Sequence, residues 1–209
     1  MTQRASVTAR PRPWRVTLIV LVALVTAAQW AAAQTPGINY EEGNVCLQDY
    51  LAGAVCTAED VRIASISPTI QEVCLLAGDV VTAEFTVRLV TGATDRYDIG
   101  LFVATDGGSA MSGDSCYHDF LQPATAGPWD FATTYRNTDG DMCADTRQTD
   151  PDVYYTFQQE LQILCADANG DGVVDPFSTC TSWDNNAGTA CLDVTDAVPG
   201  TGSKCRCET

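Results

Sequence analysis

The stretch Asp167-Ala-Asn169-Gly170-Asp171-Gly172-Val173-Val174-Asp175 sets side-chain oxygens at the first, third, fifth and ninth positions of a loop, with glycine at the sixth. Calcium takes roughly six to eight oxygen ligands, and this spacing curls a chain around such a hard cation. Asp167, Asn169 and Asp171 would each donate a side-chain oxygen, Val173 its carbonyl, and Asp175 an oxygen directly or through water. Gly172 permits the sharp bend. A second acidic stretch, Asn137-Thr-Asp139-Gly140-Asp141-Met-Cys143-Ala-Asp145, offers Asn137, Asp139, Asp141 and Asp145 for the same chemistry. The first loop is not helix-flanked, because Ser178 stands where a bidentate acid belongs and Pro176 obstructs a helix start. A carboxylate from elsewhere must complete it, and Asp184 is the nearest candidate.

Other reactive residues point less far. Cys116-Tyr-His118-Asp119 can be written as nucleophile, base and orienting acid, but a surface-loop histidine beside a disulfide cysteine is the simpler expectation. There is no HExxH, no GxSxG and no phosphate-cradling glycine loop. Any two of the many carboxylates could serve a glycosidase, and nothing selects a pair. Trp129, Trp183, Tyr154 and Tyr155 raise sugar stacking, with Trp129, after Pro128 in a loop, the better-placed platform.

Arg4, Arg10, Arg12 and Arg15 precede an apolar run from Val16 to Ala28, and Ala31-Ala32-Ala33 fits a small-residue cleavage rule. These features predict a signal peptide over 1–33, cut before Gln34, and a secreted, cell-surface or periplasmic product with no membrane segment after cleavage. The chain carries 27 acidic against 11 basic residues, a net charge of −16. Cleavage removes only arginines and makes it more negative. Such a surface repels phosphate backbones, which excludes nucleic acid, and it repels itself, which bound calcium would offset. Cys46, Cys56, Cys74, Cys116, Cys143, Cys165, Cys180, Cys191, Cys205 and Cys207 form an even set in an exported chain, the pattern of a disulfide framework. One histidine and no CxxC pair argue against zinc. Connectivity stays open; Cys46–Cys56 and Cys180–Cys191 are only the pairs closest to local loops.

The elements that must hold these groups are strands. Over Asp79–Val90, Val81, Ala83, Phe85, Val87 and Leu89 alternate with polar residues, the mark of a half-buried strand. Shorter strands are predicted at Val61–Ile66 and Ile70–Leu76. Another covers Tyr97–Thr105, with Ile99, Leu101 and Val103 inward and Asp98 and Gly100 outward. A second long strand covers Val153–Cys165, with Gln159 the one residue out of phase. A short helix is expected near Asn44–Ala54, and strand-like pieces at Ala190–Val194 and Ser203–Cys207. The fold class is therefore all-β, an antiparallel immunoglobulin-like β-sandwich with long Asp/Gly-rich calcium loops and disulfides. Residues 34–60 form an N-terminal extension, 61–165 the sandwich core with a loop insert at 106–150, and 166–209 the calcium loop and cysteine-rich end of the same domain.

The Asp167 loop resembles the loops of EF-hand, dockerin and thrombospondin type 3 proteins over about a dozen residues, and the Asn137–Asp145 stretch, with Cys143 interleaved, resembles the thrombospondin type 3 pattern. The block Arg96-Tyr97-Asp98-Ile99-Gly100-Leu101-Phe102-Val103-Ala104-Thr105-Asp106-Gly107-Gly108, followed by Cys116, resembles a segment of uncharacterised secreted bacterial β-sandwich proteins. That resemblance implies a surface or matrix module. The expected function is a calcium-binding, disulfide-stabilised structural or adhesion module, with a filament subunit as one form of it, and not an enzyme. Its partners would be further copies or other surface proteins, and Gln34–Asn44 could add as a strand to a neighbour's sheet. A calcium-dependent carbohydrate-binding module, with polysaccharide as partner, is the alternative, and a hydrolase comes third.

Overall fold

Two long amphipathic segments each need a partner edge and a covering layer. In the computed structural model, which describes residues 45–69, 73–122, 137–148, 152–157, 159–188, 190–200 and 204–208, the two segments pair with each other. The elements are a short helix α1 (Leu47–Tyr50) and nine strands: β1 (Val61–Pro68), β2 (Val80–Ala83), β3 (Phe85–Thr91), β4 (Tyr97–Ala104), β5 (Cys116–Phe120), β6 (Val153–Thr156), β7 (Leu161–Leu164), β8 (Thr179–Asp184) and β9 (Cys205–Glu208). A 3-10 turn at Val194–Asp196 precedes β9. These residues fall within one unit, Ile38–Thr209. The expected signal peptide 1–33, segment 34–44 and Trp129 lie outside the described residues, as do parts of the 106–150 insert.

Every strand pair is antiparallel. One sheet has the order β1-β3-β6, a two-stranded ribbon pairs β2 with β7, and a third sheet has the order β5-β4-β8-β9. The ribbon continues the first sheet: β2 runs into β3 through Glu84, and β6 leads on to β7. The expected strands Asp79–Val90 and Val153–Cys165 are thus each broken in two. Ala83 pairs with Leu161 and Thr86 with Thr156, and Phe157 N still donates to Phe85 O at 2.9 Å. Tyr155, Phe157, Leu161 and Ile163 are buried on either side of the break. Gln159, out of phase in sequence, lies between the two strands.

Phe85, Val87, Leu89, Val153, Tyr155 and Ile163 from the first layer meet Ile99, Leu101, Val103, Tyr117 and Trp183 from the four-stranded sheet in one core. The result is a sandwich-like all-β fold. The outer face of the four-stranded sheet is also covered. Segment 45–56 crosses it, with Leu47 and Ala54 packed on Phe102, Ala104 and Cys180, and Leu47 and Gln48 hydrogen-bonded to Ala110 and Met111. From its second residue onward β4 is consequently buried on both faces, correcting the expected outward exposure of Asp98 and Gly100. Doubly covered strands lose the alternation that one wet face imposes.

Further corrections follow from burial. The insert 106–150 is not all loop, since Cys116–Phe120 pairs along β4 as β5. β8 was not anticipated either, because Thr179, Thr181 and Ser182 look like loop residues yet are buried. Thr181 Oγ donates to Val61 O at 2.7 Å and Ser182 Oγ to Ala197 O at 3.0 Å, which satisfies both hydroxyls. Among the described residues 73–79 and 190–193 form no strand.

All ten cysteines are bonded: Cys46–Cys116, Cys56–Cys205, Cys74–Cys165, Cys143–Cys191 and Cys180–Cys207. Neither of the two local pairs, Cys46–Cys56 and Cys180–Cys191, is formed. Each of the first four bridges instead ties an irregular segment to a strand or to another irregular segment. Among the described residues no helix is long and apolar enough to cross a membrane.

Candidate metal centre

The start of β4 is brought beside the second acidic stretch by backbone pairing. Arg96 and Thr146 exchange both hydrogen bonds at 2.9 Å, Ile99 N donates to Ala144 O at 3.4 Å, and Ala144 N donates to Leu121 O at 2.5 Å. Asp145 is thereby delivered next to Asp98. Among the described residues Asp98 is the one non-glycine residue with positive φ, at 54°, and it sits where the β4–β8 register shifts between Tyr97 and Gly100. That left-handed backbone costs an L-residue roughly 1–2 kcal/mol, least for Asp and Asn. Strain of this kind gathers at functional positions.

Carboxylate oxygens of Asp98, Asp139 and Asp145 lie within 4.8 Å of one another. Asp98 and Asp145 are almost wholly buried. Asp98 Oδ1 and Asp145 Oδ1 are shielded from solvent and accept no hydrogen bond, while the more open Asp139 carboxylate lies near the backbone N–H groups of its own turn, Asp139 to Asp141. Bare buried acceptors are uncommon, because each costs about 1–3 kcal/mol, more when charged. The remaining Asp145 oxygen accepts from Thr138 N and Oγ1. The Cys143 and Cys191 sulfurs also stand within 4.8 Å of Asp98, but they are bonded to each other. The available donors are therefore oxygens.

Electrostatically the cluster is uncompensated. Burial, then the negative charges of Asp141, Asp139, Asp184 and Asp145, push the Asp98 carboxyl up to about 8. Burial also raises Asp139, with Asp141 adding to it, and burial raises Asp145 and Asp184. The arginines that flank Asp98 and Asp145 in sequence are engaged elsewhere, Arg96 with Asp60 at 2.7 Å and Arg147 with Asp95.

Of the four residues expected to ligate in this stretch, the structure brings Asp139 and Asp145 together and turns the other two to scaffolding. Asn137 Oδ1 accepts from Gly140 N and its Nδ2 donates to Asp141 O, both at 2.6 Å. Asp141 accepts from Cys143 N at 3.0 Å and Cys191 N at 2.6 Å, holding both halves of that cystine. Asp98 was missed as a candidate. Its one signal in sequence is an acid opening the otherwise apolar run Ile99–Ala104 with no basic residue in that run.

The Asp167 loop is ordered differently. Asp167 accepts from the backbone N–H groups of Gly170, Asp171 and Gly172, Asn169 from Asp171, Asp171 from Val173, and Asp175 from Ala168, at 2.6–3.1 Å. These are Asx-type turns on an exposed loop. Val173 is exposed. Asp184, expected to complete this loop, instead ends β8 opposite Tyr97 and acts on Asp98.

Of the remaining described candidates Tyr154 is exposed on β6 and the others are buried. His118 is fully buried on β5, which corrects the surface-loop expectation. It stacks on Phe102 at 3.9 Å, its Nε2 donates to Ala197 O at 3.0 Å, and Nδ1 faces Tyr50 Oη at 3.2 Å. Burial drives its pKa down to about 3 and keeps it neutral. Cys116 is oxidised and Asp119 points to the opposite face, so the three form no nucleophilic set. Trp183 and Tyr155 are buried and present no platform to a sugar. A groove of about 570 Å³ lies beside β1, lined in part by Arg62, Ile66, Val73, Phe177 and Glu208. No family model, curated protein or solved structure matches the chain.

Proposed function

We propose that this chain is an exported, calcium-binding, disulfide-stapled structural or adhesion module of the cell surface or extracellular matrix. The observation that carries the reading is a convergence of three carboxylates, two of them buried, in a strongly acidic chain whose nearby Arg96 and Arg147 are paired elsewhere. A divalent ion reverses that electrostatic cost and converts repulsion into a cross-link. Five disulfides support an oxidising destination. In this reading the sandwich is of immunoglobulin-like type, as its three- and four-stranded layers suggest. The role is non-catalytic, and the partners are further copies of the chain or other surface proteins. This also follows the resemblance of the Arg96–Gly108 block to secreted bacterial sandwich proteins.

Electron microscopy and sedimentation of the mature protein, in calcium and in chelator, test the role. Calcium-dependent filaments or assemblies are expected. Monodisperse particles in both conditions, across concentrations, would remove the structural role.

A further inference from the structure

We propose that Asp98, Asp139 and Asp145 form one buried calcium site, and that this site, not the Asp167 loop, is the principal ion-binding position of the protein. The inference rests on the calcium reading above and adds to it the ligand set, the ion class and the segments that the ion joins. Two independent observations support the cluster. Its ligand oxygens converge within 4.8 Å, and Asp98 Oδ1 and Asp145 Oδ1 are unpartnered on side chains that are nearly completely buried.

The donor set selects the ion. Calcium–oxygen distances of about 2.3–2.6 Å place ligand atoms on opposite sides of the shell roughly 4.6–5.2 Å apart, a span that this cluster fits. Zinc favours nitrogen and thiolate, and the adjacent sulfurs of Cys143 and Cys191 are withheld as a disulfide. Three carboxylates do not complete a shell of roughly six to eight oxygens, so water or backbone carbonyls supply the rest. The bound ion would fasten the start of β4 to the 137–145 strap, which Asp141 and the Cys143–Cys191 bridge already tie to the segment before the 3-10 turn.

The Asp167 loop has no comparable need. Asp167, Asn169 and one oxygen each of Asp171 and Asp175 accept from the loop's own N–H groups, and among the described residues the converging acid, cysteine or histidine groups contain Asp98 and no residue of 167–175.

The test is equilibrium dialysis of the EDTA-stripped mature protein against calcium, with bound metal counted by mass spectrometry and melting followed in parallel. Wild type, Asp98→Asn and Asp171→Asn are compared. Asparagine tolerates the left-handed backbone of position 98 and is nearly isosteric, so the fold is retained. Asp98→Asn is expected to weaken calcium binding by at least about tenfold and to abolish most of the calcium-induced rise in melting temperature. Asp171→Asn should keep both. In EDTA, Asp98→Asn should melt close to wild type, since the amide is nearly isosteric with the carboxyl it replaces and accepts the same backbone conformation. Asp139→Asn, on the strap, gives a second reading with the same expected loss. If Asp171→Asn loses the ion while Asp98→Asn retains it, this inference fails and the calcium reading survives. If Asp98→Asn melts well below wild type in EDTA, Asp98 serves the fold and the inference fails likewise. If the wild type binds no calcium, both fall.

Discussion

Replacing Asp119 by asparagine should remove a large part of the pH dependence of folding, through a route separate from any ion. Asp119 is fully buried on β5, facing the sandwich core. Its Oδ2 accepts from Tyr155 Oη at 2.7 Å and Tyr117 Oη at 3.2 Å, and its Oδ1 from Phe120 N at 2.7 Å. Burial raises its pKa and the three donors restrain the rise, leaving it at about 7 against an ordinary 3.8. Between those values the folded protein keeps a proton that the unfolded chain releases. Asp119 therefore contributes stability that is complete below pH ~3.8, declines as pH rises and is gone above ~7. At 1.36 kcal/mol per pH unit, the gap of a little over three units amounts to about 4 kcal/mol. Urea unfolding of wild type and Asp119→Asn at several values between pH 4 and 8.5 reads this directly. The asparagine amide will meet the Phe120 N–H as a second donor, which adds a roughly constant 1–3 kcal/mol cost. That offset does not alter the slope. Asp98, pushed up to about 8, acts in the same direction, but it is common to both proteins and cancels in the difference. The variant's deficit should shrink by about 4 kcal/mol from pH 4 to 8. Parallel curves would refute the assignment of a buried, proton-retaining Asp119.

Gly100→Ala would place a methyl 2.0 Å from Ala197 O and 2.3 Å from Ser182 Oγ, displacing a carbonyl that also accepts from His118 and Ser182. A loss of about 3 kcal/mol and a fall in melting temperature of roughly 6–12 °C are expected by calorimetry. Removing Cys56–Cys205 by a double alanine substitution should lower stability by about 2–4 kcal/mol in guanidinium melts. Its sequence separation of 149 overstates the loop it closes, because Cys74–Cys165 and Cys180–Cys207 already shorten the path.

Legibility in the sequence tracked the presence of one wet face. β2 with β3, and β6 with β7, announced themselves because Val81, Ala83, Phe85, Val87 and Leu89 alternate with exposed or half-exposed residues. β5 and β8 did not, because both of their faces are covered and buried polar side chains replace the apolar signal. His118 leans on Phe102, Asp119 on two tyrosines, and Thr181 and Ser182 on main-chain carbonyls. A window of sequence cannot distinguish such residues from a solvated loop. The even cysteine count correctly implied full pairing, but the partners lie 27 to 149 residues apart, set by which strands become neighbours.

The two acidic stretches differ in what their own backbone supplies to the carboxylates. Oxygens that all belong to one short loop lie close to that loop's own N–H groups, and glycines with φ of 73° and 83° at Gly170 and Gly172 let the backbone fold back onto them. The side chains are then held by the loop's own hydrogen bonds, whose acceptors a cation would have to share. Oxygens drawn from β4 and from a strap about forty residues later meet across a strand-like pairing, where the nearby N–H groups are committed to Arg96, Ile99, Ala144 and Thr146. Asp98 Oδ1 and Asp145 Oδ1 stay without a donor, while Thr138 serves only the other Asp145 oxygen. The same non-locality that hides such a cluster from motif reading is what sets Asp98 beside Asp139 and Asp145.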